Sequence, residues 1–129
     1  MAVIALPIIL GALWSVRAAE LTPTAVLTEA DRLYNERSYA SALDLYRKAL
    51  AGQPDLGARQ PQVEYRICVS LGRSQKWDEA LAQTAKFIEA HPTGLWAARG
   101  HYWLAQLYTV APHRGYRVAE TIYRGDDFP

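Results

Sequence analysis

Small and aromatic residues recur in this chain at fixed offsets, and that recurrence limits it to few folds. Residues 30–54 read ADRLYNERSYASALDLYRKALAGQP, with Ala30, Leu33, Tyr39, Ala42, Tyr46, Ala49 and Pro54 marking the pattern. A second stretch repeats it through Ile67, Cys68, Leu71, Trp77, Ala80, Phe87 and Pro92, and the two prolines lie 38 residues apart. Antiparallel helices approach closely only where small side chains meet. Ala30 and Ala42 therefore read as the contact of one helical pair, with Tyr39 and Tyr46 filling the space around it. Pro54 and Pro92 each stop a second helix, because proline lacks an N–H and clashes with the preceding turn. Thr84 is small where the first unit has Tyr46, and Phe87 is large where it has Ala49, a swap that conserves volume.

The pattern predicts an all-α chain of antiparallel helix–turn–helix repeats, with helices over 23–36, 39–51, 61–73, 76–90, 94–110 and 115–124. No sheet is expected, because no segment sustains apolar–polar alternation. Thr22-Pro23 and Pro61 mark helix starts. Ser38 and Ser74 stand just before second helices as capping residues. Lys48 lies near a helix C-terminus, where a cation is favoured. A third unit is degenerate: Trp103-Leu104-Ala105 with Tyr108 suits a first helix, and Gly115-Tyr116 with Ala119 and Tyr123 suits the start of a second.

The first unit resembles the tetratricopeptide repeat family, whose period is about 34 residues. The resemblance implies units at about 23–56, 61–94 and 95–125, within a repeat domain over 22–129, as two good repeats and one degenerate one. It also implies a concave groove lined by first helices. Thr24, Leu27, Asp31 and Tyr34 would face it from the first unit, Gln62, Tyr65, Val69 and Gly72 from the second, and Arg99, Tyr102, Gln106 and Thr109 from the third. Asp31, Tyr34, Tyr65, Tyr102 and Gln106 are the candidate binding residues. The Lys and Asn pair with which some members clamp a peptide's terminal carboxylate is missing, with Leu27 and Asp31 in its place. Tyrosines suit protein contacts, since each offers an apolar face and a hydroxyl at small entropic cost. The alternative for each tyrosine is packing against a neighbouring helix.

Residues 2–16 read AVIALPIILGALWSV, uncharged and shorter than a bilayer span. Val16-Arg17-Ala18 follows with a residue pattern suited to cleavage, so residues 1–18 read as a secretory signal peptide lacking the usual basic start. The expected location is periplasmic or secreted; the alternative is a membrane anchor formed by residues 2–16.

The remaining chemistry is sparse. Net charge is +1, which gives no basic stripe for nucleic acid. The single thiol, Cys68, occupies a small-residue packing position. His91, His101 and His113 have no metal-ligand spacing, and His91 sits at a helix end with a capping or solvent role. No Gly-rich loop follows a strand, and no nucleophile–base set is visible. Arg124-Gly125-Asp126 spells an adhesion tripeptide without a structural frame. The chain is thus expected to be no enzyme, to take no cofactor or metal, and to have a protein, a peptide or other domains of its own chain as partner.

The expected function is a protein-interaction or scaffolding module. The runs YRICVSLGRSQKWDEAL (65–81) and YWLAQLYTVAPHRGYRVAETIYRGDDFP (102–129) also resemble, without a diagnostic motif, the N-terminal helical region of some large bacterial alpha-macroglobulin-like proteins, a resemblance covering most of residues 24–129. That would make Pro129 an interdomain junction and the isolated chain marginally stable, with a melting transition below about 65 °C. The alternative is a free periplasmic assembly factor for envelope complexes.

Overall fold

A computed structural model describes residues 22–113, 115–118 and 121–124. Five α-helices follow in order: α1 (Pro23–Asn35), α2 (Tyr39–Gly52), α3 (Gln60–Arg73), α4 (Trp77–Ala90) and α5 (Gly94–Val110). A short 3-10 turn over Gly57–Arg59 leads into α3. Each helix packs on the next one in sequence, and α3 also meets α5. The residues proposed for 1–18 as a signal peptide, and the Gly125-Asp126 part of the tripeptide, lie outside the described residues.

The core holds many of the positions that the recurrence marks, together with Val26, Leu27, Leu43, Val63, Val69 and Leu107, while Leu33, Tyr39 and Trp77 are only partly buried. Ala30, Ala42, Tyr46 and Ala49 are buried in the first pair, and Cys68, Ala80, Thr84 and Phe87 in the second. The Thr84 and Phe87 exchange works because the buried hydroxyl is satisfied: Thr84 Oγ1 donates to the Ala80 carbonyl at 2.6 Å. Thr22 caps α1, its Oγ1 accepting the Ala25 N–H at 3.2 Å.

The two hairpins turn in the same way, and the serines do not cap as expected. Ser38 makes no side-chain cap bond, and Ser74 is the residue that ends α3. Each turn is closed from the preceding helix instead. Ser38 N–H donates to Leu33 O and Arg37 N–H to Tyr34 O, while Lys76 N–H donates to Leu71 O and Gln75 N–H to Gly72 O. This is the paired bonding of a Schellman end, which needs a left-handed residue. Arg37 and Gln75 supply it, at φ 64° and 61°. Lys48 does not fall in the last turn of α2, which has no basic residue.

The third unit departs from expectation. α5 forms as expected, but it buries Ala97, Gly100, Trp103 and Leu107 and leaves Ala105 exposed. Residues 115–118 and 121–124 are strands and not a helix. Strands β1 (Gly115–Val118) and β2 (Thr121–Arg124) pair antiparallel, with Gly115 opposite Arg124 and Val118 opposite Thr121. A helix of this length is marginal by itself. The segment holds Tyr116, Val118, Thr121, Ile122 and Tyr123, aromatic and β-branched types that favour strands.

Candidate functional site

The five candidate binding residues have separate fates, and of the other positions expected to face the groove Leu27, Val69 and Gly72 are instead buried. Asp31 is taken up within the fold. It accepts hydrogen bonds from Tyr46 Oη at 2.7 Å and from Arg59 at 2.6 Å, and it pairs with Arg66. Arg66 also donates to Tyr46 Oη at 3.1 Å, and its guanidinium lies 4.9 Å from the Tyr34 ring centroid. Burial, followed by the Asp31 hydrogen bond, pushes the Tyr46 hydroxyl well above the usual tyrosine range. Tyr34 packs edge-on to Tyr39 and Tyr46. Tyr65 is half-buried against Phe87 and Trp96, with ring centroids 5.8 and 6.0 Å away. Tyr102 and Gln106 remain at the surface of α5, Tyr102 with 65% of its area exposed.

Gln106 borders a cleft of about 200 Å³ between the end of α3 and α5. Gly72, Arg73, Gln75, Trp77, Trp103 and Val110 form the rest of its lining. The close approach is set by Gly72, since a Cβ there would lie 2.6 Å from both Leu107 Cδ2 and Trp103 Cζ2. Trp103 is 5% exposed, and its indole N–H has no acceptor among the described residues. A buried donor left unpaired costs about 1–3 kcal/mol, so an acceptor brought to it would be favoured. The Arg73 guanidinium lies over the same indole, 5.5 Å from its centroid. The cleft is therefore rich in hydrogen-bond donors and has no carboxylate in its lining.

Beside the cleft, α5 turns an apolar face outward. Leu95 and Tyr102 are 62% and 65% exposed on it, whereas exposed Tyr108 lies about 140° round the helix from Leu95, and Val110 lines the cleft. Leu95, Ala98, Tyr102 and Ala105 follow the three- and four-residue spacing that places side chains on one helix face.

One polar chain was not foreseen. His91 ends α4, as its position suggests, but its Nε2 also meets Glu64 Oε2 at 2.8 Å. Glu64 Oε1 in turn accepts from Gln60 Nε2 at 2.7 Å, and Gln60 Oε1 from the Leu56 N–H at 3.0 Å. The chain ties the entry of α3 to the end of α4. It spans 27 residues between His91 and Glu64, so no local spacing announces it. Cys68 is fully buried, and burial pushes its thiol up to about 12. Among the described residues no three His, Cys, Asp or Glu side chains are grouped to hold a metal ion, and no helix is long and apolar enough to cross a membrane. Comparison with models of protein families, with curated proteins and with solved structures finds no match to this chain.

Proposed function

We propose that this chain is a protein-interaction module of tetratricopeptide type, exported to the periplasm or beyond, with α5 and its cleft as the contact surface. The observation that carries the reading is the exposed side of α5, where Leu95 and Tyr102 lie open beside a cleft that holds Val110 and the unpaired Trp103 N–H. Isolated exposed apolar residues are ordinary, but a contiguous set on one helix marks an interaction site. The matching turns of the two hairpins, closed by Arg37 and Gln75, support a repeat origin. The partner is either the rest of a larger alpha-macroglobulin-like chain or a separate envelope protein that a free assembly factor would hold. A reading frame that continues into β-rich domains would favour the first.

The test is a photo-crosslinking residue placed at Tyr102 and, as control, at exposed Asp44 on α2, in cells that express the protein natively. A discrete adduct from position 102 and none from position 44 is expected. Equal labelling from both positions, or none from 102, would overturn the reading.

A further inference from the structure

The charges around this surface have one sign. Helix α5 carries Arg99 and His101 and no carboxylate. The cleft adds Arg73 and the amides of Gln75 and Gln106, again without Asp or Glu. Four of the other described arginines, Arg32, Arg47, Arg59 and Arg66, each meet a carboxylate, and Arg37 at the first hairpin turn does not. Arg73 and Arg99 lie over indole rings, Arg73 on Trp103 and Arg99 on Trp96 at 4.6 Å. An arginine on an aromatic face keeps its guanidinium edge free for a planar acceptor. Trp103 adds a buried N–H that can only donate and finds nothing to donate to among the described residues.

Size narrows the ligand. The cleft holds about 200 Å³, below the roughly 300–1,000 Å³ of pockets that enclose a whole small molecule. It has room for the end of an acidic side chain. The side of α5 beside it, from Leu95 through Tyr102 to Val110, spans about four helical turns and suits an extended apolar contact.

We propose that the cleft receives an Asp or Glu side chain from an acidic, amphipathic segment of the partner, whose apolar residues lie along Leu95, Tyr102 and Val110. The carboxylate accepts from the Arg73 guanidinium and the Gln106 amide, with the Trp103 N–H as the remaining donor. Charge complementarity selects this occupant over a second copy of the chain, whose α5 would bring Arg99 and His101 to the same surface. The inference rests on the interaction surface proposed above and names the chemistry of what it binds.

The test titrates the full-length, 15N-labelled chain with two synthetic helical peptides, one patterned with Leu and Glu and the other with every Glu replaced by Gln. The Trp103 indole resonance and the affinity are read together. Binding of the Glu peptide about tenfold tighter, with a shift of that resonance, is expected. The Arg73→Gln variant should remove the difference, and added salt should reduce it. Equal binding of the two peptides, or a preference that survives Arg73→Gln, overturns the acidic assignment and leaves the interaction surface standing. Absence of binding by either peptide, beside a cross-link from position 102, does the same. Absence of both defeats the two readings together. Acetate at matched carboxylate concentration is the last arm. If it shifts the resonance as strongly as the peptide does, the site belongs to a free carboxylate and the peptide assignment falls.

Discussion

The Trp103 ring occupies the space that any side chain at Gly72 would need, with Cζ2 only 2.6 Å from where a Cβ would stand. The opposing Leu107 Cδ2 is equally close, so neither side of the contact is open. Gly72→Ala is therefore expected to destabilise the fold by about 1–3 kcal/mol through overpacking, and to loosen α5 from α3. Gly52, at the end of α2, has nothing within 4 Å of its Cβ position. Gly52→Ala should be neutral or stabilising by up to about 1 kcal/mol. Urea unfolding of the two variants checks the contrast, and equal stability would show that the contact with Trp103 yields.

The Asp31 carboxylate holds three groups from three elements: Tyr46 on α2, Arg59 before α3 and Arg66 within it. Arg66 and Asp31 are only 18% and 26% exposed, so water replaces the pairing poorly. Asp31→Ala should cost about 2–3 kcal/mol, since it strands a half-buried guanidinium and the Tyr46 hydroxyl. Asp31→Asn keeps one acceptor and should cost less. Thermal denaturation distinguishes them, and a loss under about 0.5 kcal/mol for Asp31→Ala would mean that the network contributes no stability.

This network also shows where the sequence stops being informative. The alanine and aromatic positions announce their burial because a helix crossing imposes a local period, and Ala30, Ala42, Cys68 and Ala80 follow it. Asp31 falls on the outward side by the same period, but its partners Arg59 and Arg66 lie 28 and 35 residues away, and no local spacing encodes them. A serine before a second helix reads as a cap. The actual closure depends on one left-handed residue earlier, which Arg37 and Gln75 do not advertise as glycine would. Residues 115–124 contain both a helical spacing and a run of strand-forming types, and the sequence alone gave the first more weight than it merited. Within the cleft, Gly72 and Gln106 were legible as groove residues. The unpaired Trp103 N–H was not, because it follows from three-dimensional packing.

Arg37 and Gln75 hold φ values of 64° and 61°, a region that costs an ordinary L-residue roughly 1–2 kcal/mol. Glycine removes that strain but gives back entropy to the unfolded chain. Arg37→Gly and Gln75→Gly should each stabilise by about 0.5–1 kcal/mol. The check is a higher denaturant midpoint at an unchanged slope. A lower midpoint in both variants would show that their side chains contribute more than the turn strain costs.

Burial of Cys68 gives a pH-dependent signature. Its thiol is pushed up to about 12 in the folded state, above the roughly 8.5 of an exposed thiol. Between these values the unfolded chain loses a proton that the folded chain keeps, so this contribution to stability falls as pH rises from about 9 toward 12. Cys68→Ala should flatten that part of the stability profile by at most about 1.4 kcal/mol per pH unit. The native thiol should also resist a disulfide reagent at pH 8 and react once unfolded. Rapid reaction of the native protein would show that Cys68 is accessible.

Tyr65 on α3 and Tyr102 on α5 should respond differently to truncation. Tyr65 is half-buried against Phe87 and Trp96, and burial pushes its hydroxyl above the usual range. Tyr65→Ala removes that ring contact and opens a gap, at a cost of about 2–3 kcal/mol. Tyr102 is 65% exposed, so Tyr102→Ala should change stability by less than about 0.5 kcal/mol. If α5 is the contact surface, the same change should weaken the Glu-patterned peptide severalfold, because exposed tyrosines at the centre of an interface carry much of its affinity. Loss of stability with Tyr102→Ala would make that tyrosine a packing residue like Tyr65. Unchanged stability with unchanged peptide affinity would place the contact away from this face of α5.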